Sequence, residues 1–357
     1  MLDINAVRAA FPFLEHNVYL NTAAAGLSWN GQGKAAAEFY DCGKSKGMGG
    51  AAEWAAAVAA TKAELAELVK VPAHCIHFVG STTEALNLVA HSLALNRGDK
   101  VVLAADEFPS VVQSWESVQR RGVELIQVPI SHEPERTESL AAAVNSDVKA
   151  LAVSHIHWRT GTRVDLSRLS ARCREQGCLL IVDGVQAVGA VPVQAGIADA
   201  YCASVFKWLL SGFGLGFVIV SEQLSAHLQP EFRGYNNETP SRSLRYGHIN
   251  YPGIYALHAS LQFMRAVGWE AIYQRVDALA LRAIHSLRER GFEVITPAEA
   301  HGGIVSIQHP SASTLVRNLS EQSIFVEDRG PVVRASPHFY NNDEDIDRFV
   351  KALESRV

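Results

Sequence analysis

The stretch from residue 179 to 220, LLIVDGVQAVGAVPVQAGIADAYCASVFKWLLSGFGLGFVIV, decides how this chain folds. Four apolar residues lead to Asp183, and a second strand-like run ends at Ser204. Lys207 follows among apolar and aromatic neighbours, just before a glycine-rich turn and a valine-rich strand. Because a lysine cation is costly to bury, Lys207 either extends its amine to water or occupies a low-dielectric pocket that keeps the amine neutral. Taken alone, its position leaves both interpretations open.

Strand-like and helix-like segments alternate from residue 53 up to this stretch. The predicted strands are CIHFVG (75–80), KVVLAAD (100–106), VELIQVPI (123–130), VKALAVSHI (148–156) and CLLIVDG (178–184). The first of the intervening helices after CIHFVG, TTEALNLVAHSLAL (82–95), is expected to begin at a threonine cap. Apolar β-branched strands that alternate with helices predict a mainly parallel sheet with helices on both faces.

The pattern changes after about residue 230. The stretch EFRGYNNETPSRSLRYGHINYPG (231–253) is polar and turn-rich, and a long helical region is expected from Ile254 to Arg290. Short strands and helices then alternate to the end, which predicts a small α+β domain. We therefore expect a large domain over residues 15–250 and a small one made of residues 1–14 and 251–357.

The composition excludes several classes of protein. Of 357 residues, 48% are hydrophobic and 19% are charged, and the net charge of -5 argues against a basic nucleic-acid surface. No apolar run is long enough for a membrane span, and the start lacks a secretory pattern, so a cytoplasmic protein is predicted. The five cysteines precede Ser204 and show no zinc-ligand spacing, so no metal site is predicted. Cys178 and Cys202 lie in apolar strand-like runs and are expected to be buried thiols.

Polar residues stand where the predicted parallel strands end, which is where open α/β sheets bind ligands. They are Thr82, Thr83, Phe108, His155 and Asp183, the aromatic Phe108 being included for its position. The hydroxyls at the start of a helix could hold an anion or simply cap that helix. The Asp183 carboxylate needs a cationic or hydrogen-bonding partner, or it caps the next helix. Gln186, three residues on, could face the same pocket.

Together with Lys207, these residues meet the requirements of one cofactor. They supply a phosphate site, an acid for a pyridinium nitrogen, an aromatic ring to cover a planar group, and an amine able to form a Schiff base. Those are the groups that bind pyridoxal 5'-phosphate.

The chain resembles the class V aminotransferase family of fold-type I pyridoxal-phosphate enzymes, which includes cysteine desulfurases, isopenicillin-N-epimerase-like proteins and kynureninases. The similarity extends from VYLNTAAAG (18–26) to VVRASPHFYNNDEDIDRF (332–349), and stretch 179–220 carries its most specific motifs, D-x-x-Q and S-x-x-K. The resemblance implies an α/β fold of type I, with helices on both faces of a mainly parallel sheet and a small C-terminal α+β domain.

The resemblance also implies roles around the cofactor. Lys207 would form the internal aldimine and shuttle protons, with Asp183 on the pyridine nitrogen and Gln186 near the phenolic oxygen. The other cofactor contacts would be Thr82, Thr83 and Ser204 on the phosphate, Phe108 stacked on the ring, and His155 beneath it as a further catalytic residue.

The substrate and the partner subunit complete this implied site. Arg334 matches the arginine that holds the substrate α-carboxylate, and the loop from Asn21 to Ala24 would line the substrate pocket. The family is dimeric, so Gly247 and His248 would reach the phosphate of a neighbouring subunit in a homodimer.

Departures from the family pattern narrow the function. Cysteine desulfurases carry a nucleophilic cysteine upstream of the matching arginine, but SIFVEDRGPVVRASPHFYN (323–341) has none, which disfavours persulfide chemistry. Phe108 and Trp158 stand where desulfurases have histidine and asparagine, and Phe206 replaces the histidine that commonly precedes the lysine. These aromatic residues are closer to kynureninase-like and epimerase-like members.

The sequence therefore predicts an enzyme that acts at Cα of a small amino acid. We favour an aminotransferase, with a lyase of the C–S or kynureninase-like type or an amino-acid epimerase as alternatives. A non-catalytic binding protein on the same fold is disfavoured because Lys207, Asp183 and Arg334 are all retained. A nucleotide-binding protein is disfavoured because no glycine-rich nucleotide loop follows the first strand.

Overall fold

A seven-stranded sheet forms the centre of the computed structural model, which describes residues 3–238 and 244–354. Residues 1–2, 239–243 and 355–357, which belong to the predicted domains and to the predicted polar stretch, lie outside the described residues. The strands of the described part are β1 Val18–Tyr19, β2 Ile76–Val79, β3 Lys100–Ala104, β4 Glu124–Val128, β5 Val148–Ser154, β6 Leu179–Asp183, β7 Ala200–Ser204, β8 Gly216–Val220, β9 Val305–Gln308, β10 Ile324–Phe325, β11 Glu327–Asp328 and β12 Val332–Ala335.

The central sheet has the strand order β2-β8-β7-β6-β5-β3-β4. Strand β8 runs antiparallel to its neighbours β2 and β7, and the other neighbouring pairs are parallel. The prediction of a mainly parallel sheet is therefore confirmed. Two smaller sheets join β1 to β10 and order β11-β12-β9.

Helices cover both faces of the central sheet. In the described part they are α1 Ile4–Arg8, α2 Gln32–Lys46, α3 Ala51–Val69, α4 Thr82–Ser92, α5 Pro109–Glu116, α6 Arg136–Ala143, α7 Leu166–Gln176, α8 Glu222–Ser225, α9 Tyr251–Val267, α10 Trp269–Glu289, α11 Ala312–Ser320 and α12 Asp343–Glu354. Within residues 3–238 and 244–354, none of these helices has the length and apolar character to cross a membrane.

Alternate residues of each strand feed two separate cores. Leu180 and Val182 of β6 enter a first core with residues of α3, α7 and α9, whereas Ile181 enters a second core with residues of α4 and α5. Because neighbouring strand residues point to opposite faces, both faces of the sheet are buried. This arrangement is the predicted α/β sandwich.

Two helix boundaries differ from the predictions. The cap of α4 is Ser81, whose hydroxyl accepts the Glu84 N–H at 3.1 Å, so Thr82 is the first helical residue rather than the cap. The predicted helical region from Ile254 to Arg290 is two helices, because Gly268 takes a φ of +97° and its N–H bonds back to Met264. Neither change moves the predicted site residues out of their elements.

Segments β1 and α9 lie next to the predicted domain boundaries at residues 15 and 250. Val18 of β1 pairs with Ile324, and it lies in a third core with residues of α10, α11 and α12. Helix α9 packs on α2 and α3 and places Leu257 in the first core. These contacts favour placing residues 18–20 with the C-terminal layer and α9 with the large sheet, and the division itself stays a prediction.

Candidate active site

The carboxyl ends of β5, β6 and β7 bring the predicted polar residues to one edge of the sheet. Ser154 and Asp183 are register partners at the ends of β5 and β6. Asp183 is also the partner of Cys202 in β7, two residues before Ser204. Lys207 follows in the turn after β7, so three neighbouring strands position the acid, a hydroxyl and the amine together.

The Lys207 side chain is held among aromatic rings rather than in water. Its residue is only 9% exposed, and Nζ lies 5.9 Å from the Phe108 ring centroid and 5.7 Å from that of Phe206. Burial, reinforced by the Arg334 cation, lowers the Lys207 pKa to about 7, although Asp183 acts in the opposite direction. A large share of the amine is therefore neutral at neutral pH, which is the form that attacks an aldehyde.

Asp183 is a buried acid beside this amine. Its Oδ1 accepts the Val185 N–H at 2.9 Å, so the carboxylate stabilises a turn as well. Burial raises the Asp183 pKa to about 6, while the Val185 hydrogen bond and Lys207 act against that rise. A cationic group next to it would restore the ionised form, as a protonated pyridine nitrogen does.

Hydroxyl groups gather at the start of α4. The Thr82 N–H donates to Ser204 Oγ at 2.7 Å, and the two side-chain oxygens are 2.8 Å apart. The Thr83 hydroxyl lies 2.8 Å from that of Ser110, a residue that the sequence analysis missed. These hydroxyls and the positive end of the helix can hold a phosphate.

Gly247 and His248, which were predicted to reach a neighbouring subunit, lie beside α4. Gly247 and His248 line a cavity of about 210 Å³ together with Gly80 and Glu84. The neighbouring Tyr246 hydroxyl donates to Glu84 at 2.9 Å and fastens this segment to α4 of its own chain. Whether they reach the phosphate of another subunit stays a prediction.

The buried guanidinium of Arg334 in β12 has hydrogen-bond donors without a partner among the described residues. The residue is 1% exposed, and its Nη1 donates to the Trp158 carbonyl at 2.7 Å. Its Nε and Nη2 are buried and have no hydrogen-bond partner within the described part of the chain. Unpaired buried donors of a cation are costly, and these two nitrogens match the two oxygens of a carboxylate.

The loop after β1 closes the pocket from the other side. Asn21 donates through Nδ2 to Glu327 at 2.9 Å, and the Ala24 N–H bonds to the Asn21 carbonyl. The Gly26 N–H reaches the Phe206 carbonyl at 2.9 Å, which ties this loop to the Lys207 turn. Asn21 and Ala24 are thus next to the site that they were predicted to line.

The model of the family described as aminotransferase class-V matches residues 18–349. The chain belongs to the class V aminotransferase family. It is therefore a pyridoxal-phosphate-dependent enzyme, and the predicted family, enzyme class, fold and cofactor are confirmed.

Similar proteins differ in their named activities. An uncharacterised aminotransferase of Bacillus subtilis, YcbU, is 25% identical over 98% of this chain and 97% of its own length. Isopenicillin N epimerase of Streptomyces clavuligerus is 30% identical over 77% of this chain and 78% of its own. The solved apo structure of cysteine desulfurase from Thermococcus onnurineus NA1 covers 99% of this chain and 98% of its own with a TM-score of 0.90, at 22% identity.

The residues of this class V aminotransferase chain fit the cofactor. The neutral amine of Lys207, the acid of Asp183 and the hydroxyls of Thr82 and Ser204 lie at one sheet edge, as the three functional groups of pyridoxal phosphate require. Gln186 is nearby but engaged, because its amide donates to the Ala23 carbonyl and accepts from Trp208 Nε1. Its proximity to the cofactor oxygen stays a prediction.

His155 occupies a different position from the other site residues. Its Nδ1 lies 2.9 Å from the Tyr201 hydroxyl, and Tyr201 belongs to the first core, on the sheet face opposite Cys202. Burial and the Arg163 cation lower the His155 pKa to about 3, so the ring is neutral. Its backbone N–H donates to the Asp183 carbonyl, which links it to the acid through the main chain. A catalytic role for His155 stays a prediction.

A charged network of Arg136, Asp106 and Glu133, which was not predicted from the sequence, connects through Trp158 to Arg334. Arg136 is 1% exposed and makes paired hydrogen bonds to Asp106 and to Glu133 at 2.7–3.0 Å. The Asp106 carbonyl accepts from Trp158 Nε1 at 3.1 Å, and Trp158 in turn holds Arg334. About 30 residues separate Asp106 from Arg136, so no local pattern could have paired them.

No metal site was predicted, but among the described residues two separate groups each bring together three possible metal ligands. His74, Cys75 and Glu222 form one, and Asp106, Glu133 and His157 form the other. In the second group Arg136 hydrogen-bonds both carboxylates, and with His157 it outweighs the effect of burial and lowers the pKa of each.

Proposed function

We propose that this class V aminotransferase chain transfers the amino group of a small α-amino acid. The observation that carries the proposal is the free Nε–Nη2 edge of Arg334, buried in the pocket that holds Lys207. An α-carboxylate on that edge would place the substrate Cα within reach of the lysine amine. When bound, pyridoxal phosphate supplies an electron sink for the bond broken at Cα.

Lys207, Asp183 and Arg334 would each have a separate role in the reaction. Lys207, with a pKa near 7, takes a proton from Cα and holds it. Asp183 keeps its charge when a cation faces it, and so favours a protonated ring nitrogen. Arg334 orients the substrate through two parallel hydrogen bonds.

The surroundings of the amine support transamination over epimerisation. Transamination needs one proton carrier, whereas epimerisation by two bases also needs a proton donor on the other face of Cα. The rings nearest the Lys207 amine belong to Phe108 and Phe206, which carry no proton to exchange. Trp158 contacts Phe108 edge-on, and its Nε1–H is already bonded to Asp106.

An amino-acid epimerase is the second candidate, because isopenicillin N epimerase is 30% identical to this chain. A lyase remains the third, because a cysteine desulfurase shares the fold. Residues 323–341 hold no cysteine, which argues against the persulfide route. We also propose that the chain forms a homodimer in which Gly247 and His248 approach the partner's phosphate.

A panel of amino acids with the purified holoenzyme tests the proposal. Amine transfer to a keto acid is expected, and loss of stereochemistry, ammonia release and sulfide release are scored separately. If only stereochemistry is lost, the epimerase assignment replaces the aminotransferase one.

Arg334→Ala is the accompanying variant. It should raise the amino-acid KM at least about tenfold, since a charge-assisted bidentate contact is removed, and leave the cofactor spectrum intact. Arg317→Ala, in the amphipathic helix α11 of the C-terminal layer, is the control and should change neither. An unchanged KM in Arg334→Ala would remove the carboxylate role.

A further inference from the structure

A second polar group stands beside Arg334. Glu327 of β11 is the register partner of Arg334 in β12, and directly paired residues of antiparallel strands point to the same face. The Glu327 carboxylate accepts Asn21 Nδ2 at 2.9 Å through one oxygen, and its other oxygen lies 3.0 Å from Arg329 Nη2. The Glu327 and Arg329 side chains are 26% and 34% exposed. Together with Asn21 they form a partly open polar group beside Arg334, which we call the mouth of the pocket.

This group acts on the reacting amine. Arg329 and Glu327 both influence the pKa of Lys207, and Arg329 also lowers that of Arg334. Glu327 is thus the register partner of one arginine, Arg334, and the ion-pair partner of the other, Arg329.

The two arginines are not equally available. Arg334 has a free bidentate edge for the α-carboxylate, whereas Arg329 is already paired with Glu327. Arg329 keeps one buried donor without a partner, Nε, and Asn21 keeps one buried acceptor, Oδ1, among the residues that the structure describes. The mouth of the pocket thus offers one donor and one acceptor, with no net charge from the Glu327–Arg329 pair.

A side chain of the substrate would meet this mouth once Arg334 holds the α-carboxylate. A carboxylate there would face the Glu327 anion, and Arg329 would be unable to compensate because it is engaged. An amide or hydroxyl could donate to Asn21 Oδ1 and accept from Arg329 Nε.

We propose that Glu327 determines the substrate class, selecting α-amino acids with an uncharged polar side chain and rejecting those with a side-chain carboxylate. This inference rests on the proposed function, because it assumes that Arg334 binds the α-carboxylate. Glu327 acts on specificity and is not assigned a step of the reaction.

The test compares matched amides and acids on the holoenzyme. Dissociation constants for asparagine against aspartate, and for glutamine against glutamate, are measured from the change in the visible spectrum of the bound cofactor. The unaltered protein should bind the amides at least about tenfold more tightly. E327Q frees Arg329 and should shift the ratio toward the acids by about tenfold or more.

The matched control removes the same charge from the other face of the strand. Asp328 pairs in register with Val333, a residue of the third core, and accepts a hydrogen bond from Ser313 of α11. D328N should leave the amide-to-acid ratio within about twofold.

Two further variants keep the result decisive. R329Q leaves the Glu327 charge unpaired and should weaken the binding of acids more than that of amides. The double variant E327Q/R329Q should lose the gain in acid binding that E327Q shows. Thermal melting of each holoenzyme confirms folding, and R329Q carries the test if E327Q does not fold.

The outcomes separate this inference from the proposed function. A ratio that E327Q and R329Q leave unchanged, while amino acids still alter the spectrum, overturns the role of Glu327 alone. Tighter binding of acids by the unaltered protein does the same. If no amino acid alters the spectrum of the unaltered protein, the proposed function fails and this inference fails with it.

Discussion

Lys207 shows how a single residue acquires its chemistry from its surroundings. Burial among Phe108 and Phe206 disfavours the ammonium form, and the Arg334 cation disfavours it further. The resulting pKa of about 7, against an ordinary 10.5, makes the amine a nucleophile at the pH of a cell.

The first prediction concerns this amine. In cofactor-free protein, the rate at which added pyridoxal phosphate becomes attached should rise with pH and reach half its maximum near pH 7. The sign follows from the lowered pKa, because the reactive neutral form is the deprotonated one. Stopped-flow absorbance measures the rate, and borohydride reduction followed by peptide mapping locates the attachment.

Arg334→Gln removes the second cause of the shift and should move the midpoint to higher pH. Arg317→Gln is the control and should leave it in place. A midpoint near 10.5 in the unaltered protein would show that the amine is not desolvated.

At the scale of elements, the loop of residues 155–163 joins the large sheet to the C-terminal layer. Ser306 donates to the Arg159 carbonyl and Thr296 to the Thr160 carbonyl, each at 2.6 Å. The same loop presents the Trp158 carbonyl to Arg334. Arg334 is therefore oriented by a loop from the other half of the molecule.

Gly161 in this loop carries the second prediction. Its φ is +76°, and an added Cβ would lie 2.3 Å from the Ile304 carbonyl oxygen. Gly161→Ala should lower the free energy of unfolding by at least about 2 kcal/mol, since it adds a backbone clash to the cost of left-handed backbone. It should also raise the amino-acid KM, because Trp158 is displaced.

Gly177→Ala is the matched control for Gly161. Gly177 has a φ of +66° with no atom within 4 Å of the added Cβ, so only about 1 kcal/mol should be lost, with KM unchanged. Urea unfolding measures both losses. Equal losses for the two variants would contradict the clash.

At the scale of the whole molecule, several large aromatic side chains are exposed to solvent. Tyr40, Phe213 and Tyr235 are 56%, 69% and 58% exposed. Phe213 stacks on Phe206 with centroids 4.4 Å apart, directly beside Lys207. If these side chains belong to one contact surface, its burial in the proposed homodimer would remove them from water.

The third prediction follows from this surface. Sedimentation of the purified protein should give twice the chain mass of 38.8 kDa, and Phe213→Glu or Tyr40→Glu should shift it toward a single chain. Phe13→Glu changes an aromatic residue that is 40% exposed and packs on Phe325 of the C-terminal layer, so it should leave the mass unchanged. A monomer before any substitution would overturn the proposed dimer.

The parts of the site that could be predicted are those that lie at strand ends. Asp183, Ser204 and Lys207 follow apolar runs that are visible in the sequence, and the parallel sheet then brings those ends together. Glu327 and Arg136 could not be predicted in the same way. Their partners, Asn21 and Asp106, are separated from them by 306 and 30 residues.

The face that the His155 ring takes follows the alternation of its strand. His155 was placed with the cofactor because it ends a strand, yet its ring turns to Tyr201 in the first core. The alternation of the strand decides this, since Val153 lies in the first core while Ser154 bonds to Glu107. A one-residue difference in position changes the face.

By itself, the sequence determined the mainly parallel sheet, because apolar periodicity acts through neighbours along the chain. It also predicted that Lys207 and Asp183 lie together at the edge of that sheet. The tertiary structure alone decided how Arg334 is presented and that Glu327 pairs with Arg329. Those features depend on charged and hydrogen-bonding groups that come together only when distant strands pack. Burial then makes each group without a partner energetically costly.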